Sequence, residues 1–307
     1  MELNAEVKES DHKVTRVQGG LNFKLSAKTS EKIAFAFLGL SVLTVVGFVL
    51  VILAYIVYNG YSAINIGFLT EMPRLMMTQG GIYPAIVGTL YLIIGSMIVA
   101  LPMGVMAAIY LNEYAGETRT TWLIEMAINN LAGTPSVVFG LFGLALFVKY
   151  FGFGPSLLAS SLTLSLLILP VIIRATEEAL ITVPKEYRES SLALGVSKWQ
   201  TIRHVVLPAA IPGIVTGSVL SIGRVAGETA PILFTGVAYF LPRLPDSAYS
   251  QFMALPYHLF VLATAGTSIA KTRSIQYGTA LVLLIIVLGL NLVAVLIRRH
   301  YRKKLNV

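Results

Sequence analysis

Charges are swept out of long stretches of this chain and gathered into the short segments between them. The uncharged runs are 33–58, 82–112, 126–148, 151–173, 205–223 with an apolar continuation after Arg224, and 275–297. A helix needs about 20 apolar residues to cross a bilayer, and each run is long enough. The pattern predicts an all-α polytopic membrane protein with six transmembrane helices and both ends on the same side. The first run exceeds a signal-peptide core and lacks an A-x-A-like cleavage site, so it is expected to stay as an anchor. The expected organisation is a polar tail (1–31), a first transmembrane helix (32–58), a core with five more (80–299) and a basic tail (300–307).

Composition agrees with this. Of 307 residues 56% are hydrophobic and 12% charged, against roughly 25% charged in soluble domains. The chain has no cysteine, which excludes disulfide frameworks and thiolate metal sites. The formal charge of +8 collects in the two tails and between residues 185 and 203. That distribution suits a cytoplasmic membrane surface and lipid contact, not nucleic acid. Lys185, Arg188, Lys198 and Arg203 follow the fourth run, whereas the segment around Glu71 offers only Arg74. By the positive-inside rule both tails and the 184–207 loop are expected in the cytoplasm.

That loop reads as two short helices about a glycine. Pro184 suits a first helical turn, Gly195 can take the positive φ that ends a helix, and Ser197 is a candidate N-cap. Pro208 stops the second helix or opens the next span. Tyr187, Ala193, Leu194 and Trp199 leave an apolar ridge on a charged hairpin. Such a ridge fits a groove on another protein or a lipid surface with Trp199 at headgroup depth. The spacing bears on that choice. Glu189-Ser190-Ser191, three residues, Gly195, nine residues, Val205-x-Leu207-Pro208 resembles the EAA loop (E-A-A-x3-G-x9-I-x-L-P) of ABC importer permeases, by which a membrane subunit grips its ATPase. The chain has no G-x-x-x-x-G-K-[ST] loop to cradle nucleotide. The resemblance therefore implies that ATP and Mg are bound by partner subunits, with no cofactor in this chain.

The fifth run carries Arg224 and Glu228. Counting from Ala209, Arg224 lies about 22 Å along a helix, where a charge costs about 2.5–3.5 kcal/mol on insertion scales. At i,i+4 the pair shares a helix face, and that face extends through Gly213, Gly217, Ser221, Pro231 and Thr235. One reading is a self-neutralising pair that locks neighbouring helices. The other makes Arg224 a guanidinium fork for a tetrahedral oxyanion, tuned or gated by Glu228.

Gly223-Arg-x-x-Gly-Glu-Thr-Ala-Pro231, with Asn129-Asn-Leu-Ala-Gly-Thr-Pro-Ser-Val-Val-Phe-Gly-Leu-Phe-Gly143 and Pro170-Val-Ile-Ile-Arg-Ala-Thr-Glu-Glu178, resembles the A-type permease of Pst phosphate ABC importers. The likeness runs from about Gly80 to the C-terminus. It implies a type I (MetI-like) importer permease of the bacterial inner membrane. Its expected partners are a homologous C-type permease, two ATP-binding subunits and an external phosphate-binding protein. It also implies that Arg174, Arg224 and Glu228 line or control the phosphate route, although Arg174 read from the residues alone is equally a snorkelling arginine at the end of the fourth span. Asn129, Asn130, Thr134 and Pro135 are candidates for helix–helix hydrogen bonding. The four histidines are too dispersed for a metal site. A stand-alone transporter using Glu228 as an ion carrier is a competing class, against which no clear inverted repeat is visible. A hydrolase lacks any H-E-x-x-H or G-x-S-x-G motif.

Overall fold

The computed structural model describes residues 27–265 and 269–304; the expected polar tail lies outside them up to residue 26. The chain divides into two units, one ending at Leu53 and one beginning at Ala54. In the first, residues 27–53 belong to α1 (Ala27–Gly60), whose large apolar side chains from Ile33 to Ile52 are exposed. A helix apolar all round with exposed side chains suits lipid as its solvent.

The second unit continues through α2 (Ile66–Thr70), a hairpin of β1 (Pro73–Arg74) and β2 (Gln79–Gly80), α3 (Tyr83–Ile109), α4 (Arg119–Ala132) and α5 (Ser136–Gly143). Then come α6 (Leu157–Ile181), α7 (Lys185–Ala193), α8 (Lys198–Thr201), α9 (Leu207–Gly227), α10 (Ala230–Thr235), α11 (Leu255–Thr264) and α12 (Ile269–Lys304). Three π-helical turns extend these helices, at Tyr110–Tyr114, Leu144–Tyr150 and Ile202–Val206. Among the described residues five helices are long and apolar enough to cross a membrane, and a bent pair makes a sixth crossing if counted as one.

That bent pair corrects the expectation of one helix over 126–148. Arg119–Ala132 and Ser136–Tyr150 meet at 103°. Pro135 has no N–H and disfavours helical geometry at Thr134, so the helix stops and restarts. The fourth span also shifts, from 151–173 to Leu157–Ile181. Gly152 and Gly154 adopt positive φ (70° and 67°), and Ser156 caps the helix by accepting from the Ala159 N–H at 3.2 Å. Arg174 therefore lies two turns inside α6, not at its end.

α6 is the central post. Leu164, Leu167, Ile168 and Ile172 are fully buried, packed with Leu92 and Ala100 of α3, Val225 of α9 and Ile232 of α10. α9 approaches closely because Gly213 and Gly217 face Ala179 and Ala175; a Cβ on either glycine would collide with them. At one end of the bundle Phe68, Met77, Ile82, Met253 and Leu255 form a separate apolar cap. The α7–α8 hairpin sits at the end where α3 and α6 finish, since Lys198 lies over the Tyr114 ring, 5.0 Å from its centre.

Candidate functional site

The hairpin folds as its local chemistry dictates. α7 starts after Pro184 and ends before Gly195, whose φ is +76°. An added Cβ at Gly195 would meet nothing within 4 Å, so backbone conformation alone requires glycine there. Ser197 caps α8, and its side chain forms a capping box with Gln200. One expectation changes: the second helix is not separate. Lys198–Gly227 is one 30-residue helix, and the π turn Ile202–Val206 carries it past Pro208 into α9. A π turn shifts the hydrogen-bond register, which accommodates the missing proline donor.

Within the motif, Glu189, Ser190 and Gly195 are exposed, and Val205, Leu207 and Pro208 are half-buried at the root. Ser191 is buried, and its Oγ pairs with Thr201 Oγ1 at 2.9 Å, tying α7 to α8. Tyr187, Leu192, Leu194 and Trp199 are exposed, Leu194 at 83%. The apolar ridge thus has no cover within this chain among the described residues.

The second cluster lies where α9 stops. Gly227 is the last helical residue and Glu228 is extended (φ −73°, ψ 130°). The stripe read along one continuous helix therefore divides. Gly213 and Gly217 pack on α6, while Thr235 on α10 is buried with its Oγ1 2.9 Å from Ser160 Oγ. Between these halves Arg224 and Glu228 stay together, Nε donating to Oε1 at 3.4 Å. An added Cβ at Gly223 or Gly227 would meet nothing within 4 Å. The face beside the pair is open, unlike that at Gly213 and Gly217. Arg224's two amino groups have no protein partner among the described residues.

Arg174 is held differently. Its Nη1 donates to Glu177 Oε2 at 2.7 Å. Nε and Nη2 donate to Asn129 Oδ1 at 3.1 and 2.8 Å, and Nη2 also to the Glu125 carbonyl at 3.3 Å. The structure so joins Arg174 of α6 to Asn129 of α4, just before the bend. Asn129 acts here as a helix–helix hydrogen-bonding residue.

Sequence reasoning missed a further bridge. Arg188 of α7 reaches Glu113 of the Tyr110–Tyr114 turn, Nη2 to Oε1, at 2.8 Å. Nothing in the local pattern of either residue pairs positions 75 apart.

A family model described as "binding-protein-dependent transport system inner membrane component" matches residues 100–307. The chain belongs to this family. Among its curated relatives is a probable ABC transporter permease of Bacillus subtilis strain 168, 34% identical over 92% of this chain and 99% of that protein. Another is the phosphate transport system permease protein PstA 1 of Mycobacterium tuberculosis H37Rv, 40% identical over 79% of each chain. Solved structures share the fold of this family member. A bacterial ABC transporter that imports the acidic polysaccharide alginate aligns with TM-score 0.64 and 15% identity, over 89% of this chain and 99% of that one. An inward-facing MetNI methionine transporter gives 0.54 and 19%, over 72% and 94%.

Proposed function

We propose that this chain is a transmembrane permease subunit of an ATP-driven inorganic phosphate importer in the bacterial inner membrane. It forms the path with a homologous C-type permease and receives phosphate from an external binding protein. Two separate ATPase subunits bind ATP and Mg, so this subunit is not itself an enzyme. Both termini and the 184–207 hairpin lie in the cytoplasm, where the exposed ridge of Tyr187, Leu194 and Trp199 and the exposed Glu189 meet the ATPase.

The observation that carries the reading is the open guanidinium of Arg224 in a chain 40% identical to a phosphate transport permease. A guanidinium with two free amino groups matches the paired oxygens of a tetrahedral anion. Glu228 takes only the Nε side, so it orients the fork without covering it. Arg174 controls the route from a distance by holding the bent α4–α5 pair to α6. The fork suits other tetrahedral anions as well; the relatives named for phosphate transport decide for phosphate.

The test is uptake into vesicles holding the complete transporter, with phosphate, sulfate and molybdate offered singly. ATP-dependent accumulation of phosphate above the other two is expected. Uptake by this chain alone without ATP would overturn the reading in favour of a secondary transporter.

A further inference from the structure

Arg188 immediately precedes the exposed Glu189, yet its side chain runs into the root of the hairpin. Nε and Nη2 donate to Glu113 Oε1 at 3.1 and 2.8 Å. Nη1 donates to the Val183 carbonyl at 2.9 Å and Nη2 to the Leu180 carbonyl at 2.8 Å. Glu113 Oε1 also accepts from Asn112 Nδ2 at 3.0 Å. The side chains are 20% and 8% exposed. One guanidinium thereby joins α7, the Leu180 and Val183 carbonyls where α6 gives way to the turn and the π turn that ends α3.

We propose that Arg188 and Glu113 are positioning residues for energy coupling, forming the joint that makes α7 move as one body with the ends of α3 and α6. The inference rests on the reading that an ATPase grips the hairpin. α7 is tethered at each end by a turn, residues 182–184 before it and residues 194–197 with Gly195 after it. Turns swivel. A push on the α7 part of the ridge, at Tyr187 and Leu192, would then rotate α7 about its own ends and leave α3 and α6 in place. The Ser191–Thr201 pair ties α7 forward to α8 and α9. Arg188 ties it back to α3 and α6. The planar fork fixes α7 against carboxylate and carbonyls in three directions together, which a lysine ammonium on a flexible stem does not do. Both members are largely buried, so the attraction is screened less by salt than that of an exposed pair.

The test places Arg188→Lys and Glu113→Gln in the complete transporter, with partner permease, ATPase subunits and binding protein, in proteoliposomes. Phosphate uptake and ATP hydrolysis are read in the same vesicles. We expect co-purification of all subunits, hydrolysis without the binding protein within about twofold of wild type, and phosphate moved per ATP reduced at least about fivefold, the low end of coupling between linked sites. An unchanged ratio of phosphate to ATP in both variants overturns the proposal. Failure of both variants to assemble also overturns it, by making the pair a folding element. If the wild-type complex moves no phosphate, the cargo reading fails instead. The joint is then read from stimulation of hydrolysis by the binding protein: loss of stimulation in the variants supports the joint, and full stimulation removes it.

Discussion

Arg174 and Arg224 each lie in a long apolar helix, each about a third exposed, each with a glutamate one turn on along the chain. Arg174 donates to a carboxylate, an asparagine side chain and a backbone carbonyl. Arg224 makes one long bond and leaves its amino groups to whatever occupies the open face beside Gly223 and Gly227. Exposure and an acidic neighbour therefore do not separate the two arginines; the number of donors already occupied does, and on the proposed function the arginine with free donors is the one that meets the anion.

The largest effect is expected at Arg224. Arg224→Ala removes the fork and lowers phosphate uptake about 100-fold, in line with the 2–5 kcal/mol lost when a hydrogen-bonded charge loses its partner, while subunits still co-purify. Unchanged uptake would end the distinction between the two arginines. Arg174→Ala leaves the buried Glu177 without its cation and unties α4 from α6. A loss of about 1–3 kcal/mol in stability is expected, discounted for the arginine's partial exposure, read as a lower melting temperature of the solubilised complex. Uptake per assembled complex falls less than for Arg224→Ala. An equal fall in uptake with no change in melting would show that both arginines face the cargo.

Gly195→Val separates cargo handling from coupling. A β-branched residue at φ +76° costs about 1–2 kcal/mol of backbone strain, although space for the side chain is free. The expected readout is weaker ATPase retention on purification, with Gly195→Asn milder because asparagine tolerates that conformation. Normal retention and coupling in both would count against the hairpin as the docking element.

The last effect extends the comparison to an ionisable side chain with no partner among the described residues. His258 of α11 is 2% exposed, and neither ring nitrogen has a hydrogen-bond partner among the described residues. Burial pushes its pKa down to about 4, so the fold favours the neutral ring. Its stabilising share is complete above the unfolded value near 6.5 and fades as pH falls toward the folded value. At pH 5 the loss amounts to about 2 kcal/mol. Wild type should lose more melting temperature between pH 7 and pH 5 than His258→Leu does; equal losses would show that another group governs acid stability.

What could be read in the sequence was local. Pro184, Gly195 and Ser197 announce a hairpin because each acts within its own turn, and Arg224 and Glu228 meet because four residues is one turn. The bend at Pro135 was visible as a residue but not as a 103° turn, since hydropathy averages across a proline and packing sets the angle. The glycines at 152 and 154 delay α6 by six residues, which moves Arg174 from a helix end to a helix interior. Arg174 with Asn129, and Arg188 with Glu113, join positions 45 and 75 apart, and no local pattern pairs such positions.

The fusion of α8, its π turn and α9 into one 30-residue helix makes a lever. Lys198, beside the exposed Trp199, and Arg224 are 26 residues apart on it, roughly 39 Å at 1.5 Å per residue. A tilt of about 10° imposed at one end would sweep the other through roughly 7 Å by that geometry. That is more than a guanidinium fork needs to close on an anion or let it go. On the proposed function the same rod would report in reverse: an anion that held Arg224 in one position would resist the tilt at Trp199, and cargo in the path would be felt at the ATPase.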